Sequence, residues 1–94
     1  MMTWDENKRR LNLKRHGIDF IEVESVFDSP VYTEEDRTTR HSELRLRTLG
    51  LLRGKVVLLI WASFGDEGRI ISCRYGDKHE TRDYYEILFY SGRN

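Results

Sequence analysis

The stretch "KVVLLIWASFGDEGRIISCRY" (residues 55–75) holds the reading on which the fold turns. Its first ten residues are apolar on both faces and β-branched at several positions, the pattern of a central strand covered on both sides. "FGDEGR" (64–69) supplies a tight turn, and "GRIISCRY" (68–75) is the return strand. That return strand carries an arginine near each end. Arg69 and Arg74 stand five residues apart, an odd separation, so in a regular strand they face opposite sides of the sheet. Arg74 lies at the strand's exit, where a long side chain can leave the core and meet the helix that follows.

The neighbouring segments extend this pattern. In "ELRLRTLGLL" (43–52) Leu44 and Leu46 point one way and Arg45 and Arg47 the other, as in a half-buried strand. A tight turn in "LLRGKV" (51–56) joins it to the central strand, and "VYTEED" (31–36) reads as a short edge strand. Upstream, "WDENKRRLNLKRHG" (4–17) reads as a first helix with Trp4, Leu11 and Leu13 as apolar anchors. His16 suits the negative end of its dipole, and Gly17 the left-handed stop position. A second helix follows in "DFIEVESVF" (19–27), where Asp19 and Glu22 have capping-box spacing and Phe20, Val23, Val26 and Phe27 share a face. "DSP" ends it, since the residue before a proline is biased away from helix. At the other end, "DKHETRDYYEILFY" (77–90) is helical, with Asp77 and Glu80 at capping-box spacing and Tyr84, Ile87 and Leu88 on an apolar face. The predicted order is α-α-β-β-β-β-α, an α+β fold in which helices pack on one face of a four-stranded, mainly antiparallel sheet.

Ninety-four residues make a single domain, residues 1–94. A hydrophobic content of 38% with 34% charged residues describes a water-soluble globular chain. The lone cysteine, Cys73, excludes an intrachain disulfide and suits a reducing cytoplasm. The first residues lack an apolar signal core, and the longest apolar run, Val56 to Ala62, is too short to cross a bilayer. The formal charge of zero hides blocks of opposite sign: residues 1–16 carry five bases and two acids, residues 17–36 seven acids, residues 37–55 six bases and one acid. Such blocks either present a basic patch beside an acidic one or neutralise each other in the fold.

The same pass narrows the chemistry. A single cysteine and three scattered histidines give no metal-ligand spacing, and neither a phosphate-cradling glycine loop nor a serine nucleophile motif is present. The remaining candidates are arginines, histidines, tyrosines and a glutamate. In "RTTRHSELRLR" (37–47), His41 and Glu43 share one side of an extended segment with Arg45 and Arg47. A histidine beside a carboxylate suits general acid–base work, and guanidinium groups suit phosphodiesters; a solvated, charge-paired sheet face uses the same residues. His79 and Arg82 share a helix face near Arg74, and Tyr84 turns inward.

Together "WDENKRRLNLKRHGIDF", "VFDSP", "DRTTRHSELR", "GRIISCR" and "DKHETRDYYE" resemble, in order and spacing, the BrnT-type toxins of bacterial type II toxin–antitoxin pairs. The resemblance implies a RelE-like fold and an endoribonuclease that works without metal or cofactor. It also implies a cytoplasmic protein neutralised by a BrnA-like antitoxin in a hetero-oligomer such as a heterotetramer. Operator DNA would be reached only through that antitoxin, and no membrane is involved. By matching position the catalytic candidates are His41, Glu43, Arg69, Arg74 and Tyr84. Candidates for holding RNA are Arg45, Arg47, Tyr75, Lys78, His79 and Arg82. His41 or Glu43 would take the 2′-hydroxyl proton, the arginines would stabilise the phosphorane, and Tyr84 or His79 would protonate the leaving oxygen. The chain departs from the family pattern at Cys73, Tyr75, Gly76 and Asp77, where Ala, Lys, Ala and Ser or Thr are usual, and its last helix is less basic. A non-catalytic RNA-binding or protein-interaction module is therefore the alternative.

Overall fold

The computed structural model describes residues 2–37 and 43–90. One five-stranded sheet organises them, in the order β1-β5-β4-β3-β2. The strands are β1 (Met2–Trp4), β2 (Tyr32–Glu35), β3 (Leu44–Leu52), β4 (Lys55–Phe64) and β5 (Glu67–Tyr75). The helices are α1 (Glu6–His16), α2 (Phe20–Val23), which continues as a 3-10 turn over Glu24–Asp28, and α3 (Lys78–Tyr85), which loosens into a π-helical turn over Glu86–Tyr90. Among the described residues no helix is long and apolar enough to cross a membrane.

Strands β2 to β5 form the antiparallel meander expected from the sequence, with two-residue turns at Arg53–Gly54 and Gly65–Asp66. The expectation of four strands is corrected to five. Met2, Thr3 and Trp4 pair in parallel with Gly68, Arg69 and Ile70, so Trp4 belongs to an edge strand rather than to the first helix.

Helices on one face is the second correction. Val57 and Leu59 of β4 pack with Ile18, Phe20, Val23 and Val26 of the N-terminal helical region, whereas Val56 and Leu58 pack with Tyr84 of α3. Alternate residues of one strand thus feed two cores, which is why β4 is apolar throughout. Gly50 permits the closer of these approaches, because a Cβ there would lie 2.5 Å from Val26 Cγ1. Phe27, expected on the buried face of the second helix, is partly exposed and meets the edge of Trp61 instead.

Helix α1 is held by a polar anchor. Leu11 and Leu13 are exposed, and the one buried residue of the helix is Asn12. Its amide accepts from the Cys73 N–H (3.0 Å) and donates to the carbonyls of Cys73 (2.9 Å) and Ile18 (3.0 Å). The side chain therefore does for the outer edge of β5 what a neighbouring strand would do, beyond the point where β1 stops. Gly17 closes the helix at φ 71°, its N–H returning to the Leu13 carbonyl. We expect Asn12→Ala to leave several buried backbone groups unpaired and to cost about 2–4 kcal/mol, read as a lower urea midpoint with an unchanged slope.

Candidate active site

The face of the sheet that carries α3 is apolar at one end and cationic at the other. Register fixes its membership. Arg45 pairs with Ala62, and Ala62 with Arg69; Arg47 pairs with Ile60, and Leu58 with Arg74. Leu58, Ile60 and Ala62 alternate along β4, so all four arginines lie on one face. The sequence parity of Arg69 and Arg74 had placed them on opposite faces. A bulge overturns that expectation. Ser72 pairs with Ile60 and Ile70 with Trp61, which leaves Ile71 as an extra residue in β5 and restores Arg69 to the side of Arg74.

Two carboxylates hold these guanidinium groups. Glu43, at the entry to β3, lies 3.4 Å from both Arg45 and Arg69. Glu80, from the first turn of α3, forms a bidentate pair with Arg74 at 2.9 Å on each arm and stands 3.9 Å from Arg47. Arg47 also reaches Glu34 of β2 at 3.7 Å. Glu80 has a further duty, accepting the Asp77 N–H at 3.0 Å while Asp77 accepts the Glu80 N–H at 2.8 Å. The same carboxylate therefore starts α3 and orients Arg74.

The electrostatics follow from this geometry. Hydrogen bonding to Arg74 holds the Glu80 carboxyl below its usual value, aided by the Asp77 N–H and by Arg47 and opposed by burial. The same bond raises the Arg74 guanidinium. Arg74 spends three N–H groups on Glu80 and on the Tyr75 carbonyl (3.2 Å). Among the described residues its Nε–H and one Nη2–H are left for an incoming oxygen.

The other candidates from the sequence are distributed differently. His41 lies outside the described residues. Tyr84 does not join the arginines: its ring is fully buried, its hydroxyl donates to the Pro30 carbonyl at 2.7 Å, and burial raises its pKa. Tyr75 packs against the core on the opposite face and lines a cavity of about 280 Å³ with Lys55, Gly76, Thr81 and Tyr85, the Lys55 Nζ standing 5.4 Å from its ring centre. Lys78, His79 and Arg82 are exposed on α3, with His79 Nδ1 2.9 Å from Arg82 and Nε2 3.8 Å from Asp83. The expected neighbours of Arg74 were His79 and Arg82; its partner is Glu80. Sequence reading missed that role because the capping box already accounted for Glu80.

Since the folded-state pKa of Glu80 lies below its unfolded value, its charge stabilises the fold at neutral pH. That contribution is lost as pH falls through the depressed folded value. Partial exposure of Arg74 keeps it small, about 1 kcal/mol. The stability difference between the wild type and Glu80→Gln is therefore expected to be full near neutrality and to close through the acid range, measured by urea unfolding at each pH.

Comparison with known proteins adds one finding. A search of the curated proteins returns no match. The family model for "Ribonuclease toxin, BrnT, of type II toxin-antitoxin system" matches residues 4–80, from the end of β1 through Glu80. That span contains Asn12, the bulged strand and all four guanidinium groups that Glu43 and Glu80 bring together. The chain belongs to the BrnT family of ribonuclease toxins, and an antitoxin partner comes with that membership.

Proposed function

We propose that the chain cleaves RNA by attack of a 2′-hydroxyl on the adjacent phosphodiester, without a metal ion, on the arginine face of the sheet. The observation that carries this reading is the convergence of Arg45, Arg47, Arg69 and Arg74 on one face, oriented by two carboxylates. The 2′-oxygen forms a bond to phosphorus and the bond to the 5′-oxygen breaks, giving a 2′,3′-cyclic phosphate and a 5′-hydroxyl. Arg74, through its unused N–H groups, and Arg69 offset the charge that builds on the equatorial oxygens. Glu43 accepts the 2′ proton, and His41, two residues earlier in the sequence, returns a proton to the leaving oxygen. Glu80 is a positioning residue that holds Arg74. Tyr84, committed to Pro30, has no role in the step. A BrnA-like antitoxin is the proposed neutralising partner.

A second reading is favoured by one observation. Three carboxylates, Glu34, Glu43 and Glu80, already lie against the four guanidinium groups, which lowers the pull on a polyanion. A chain so balanced would bind RNA or a protein without cutting. One assay separates the two. Purified protein in EDTA should cleave single-stranded RNA, and Arg74→Ala, with its thermal unfolding unchanged in cooperativity, should lower the rate about 100- to 1000-fold. Arg74→Lys should restore little, since a lysine cannot make the forked contact. Intact RNA after incubation with the wild type, or equal rates for wild type and Arg74→Ala, sinks the nuclease reading.

A further inference from the structure

The outer edge of β5 carries a basic groove that the chemistry above does not use. One cavity of about 190 Å³ is lined by Lys8, Leu11, Asn12, Arg15, His16, Ile71 and Ser72. A smaller one, about 70 Å³, is lined by Asp5, Lys8, Arg69, Ile70 and Ile71. Lys8 and Ile71 line both, so the two lie side by side along the flank of α1. They meet the arginine face at Arg69 and at Ser72, which shares that face through its pairing with Ile60. The bulge at Ile71 is what opens the edge there.

The lining has the chemistry of a polyanion track. Among the described residues neither Lys8 nor Arg15 has an acidic partner, in contrast to Arg9, which is tied to both Glu6 and Asp19. The one carboxylate on the groove, Asp5, is occupied as the N-cap of α1, accepting the Asn7 N–H at 2.8 Å. Lys8 and Arg15 stand seven residues apart, two turns or about 10 Å along the helix axis. A strand lying in the groove would meet them in succession. Between them Leu11, 44% exposed, and Ile71 offer an apolar wall for a ribose or a base.

We infer that this groove carries the phosphodiester backbone of single-stranded nucleic acid flanking the cleaved bond, with Lys8 and Arg15 as its cationic contacts. The inference rests on the ribonuclease reading for the direction of the strand, but not for the binding itself. It assigns substrate contacts to α1, which carries none of the catalytic groups.

The test uses the full chain and a fluorescein-labelled single-stranded DNA of about 20 nucleotides, long enough to overrun a site of this kind. Lacking 2′-hydroxyls, that probe reports binding without cleavage. The double variant Lys8→Gln, Arg15→Gln is expected to weaken binding about tenfold and to flatten the salt dependence of log K by about 1.4, two phosphates' worth for a single strand. The charge-keeping exchange Lys8→Arg, Arg15→Lys should bind as the wild type does. With RNA, the Gln variant should raise KM for a long substrate more than for a dinucleotide. Unchanged affinity and salt slope overturn the groove, whether or not RNA is cut. Weakened DNA binding by the Gln variant of a protein that cuts no RNA supports the groove and overturns the nuclease reading. Loss of affinity for an acidic antitoxin segment with DNA binding intact assigns the groove to a protein and overturns the inference.

Discussion

One bulge decides which arginines share a face of this sheet. Were Ile71 paired in a regular ladder instead of bulged out, the period of two along β5 would send Arg69 into the core beneath α2 and bring Ile70 out beside Arg74. An unpaired guanidinium in that core would cost several kcal/mol, so the ladder could not persist in that form. The bulge resolves the conflict by resetting the parity once. Cys73 and Ile70 then face the helices, and Arg74 and Arg69 face the other way. The same kink leaves Ile71 at the sheet's edge, where it shapes the groove beside α1.

Much of the architecture is legible in the residues. The unbroken apolar run of β4, the alternation of Leu and Arg in β3, and the two capping boxes at Asp19 and Asp77 each have one dominant physical reading, and the structure bears them out. Strand β1 is not legible, because three residues cannot display a period and a parallel partner lies more than sixty positions away. Trp4 beside "DENKRR" reads as helix on local grounds alone. The bulge is invisible for a related reason: nothing in "RIISCR" marks which isoleucine is extra, and the decision is made by the pairing with β4. Leu11 and Leu13 mislead because a buried amide, Asn12, takes the anchoring role that apolar residues usually have.

The candidate site shows a similar division. Glu43, Arg45, Arg47, Arg69 and Arg74, each singled out from the sequence, share one face. Tyr84, read both as an inward aromatic and as a proton donor, is fully buried with its hydroxyl on the Pro30 carbonyl. Glu80 escaped notice because one explanation seemed sufficient. Its carboxylate links the start of α3 to the orientation of Arg74, so the last helix and the site assemble together. Tyr84 then fixes the far end of that helix through Pro30, which makes the apolar half of the face the scaffold for the charged half.

Cys73 lies at the meeting point of these elements. Its sulfur is fully buried, its backbone N–H and carbonyl are both held by Asn12, and desolvation pushes the thiol up to about 12. A thiol in that setting is inert to electrophiles while the core beneath α2 stays closed, because thiolate is the reacting form and none is accessible. Alkylation of the native protein must therefore wait for Ile18, Phe20 and Val23 to lift from the sheet. The lone thiol is a natural clock for that opening: its modification rate reports the free energy of exposing the core beneath α2.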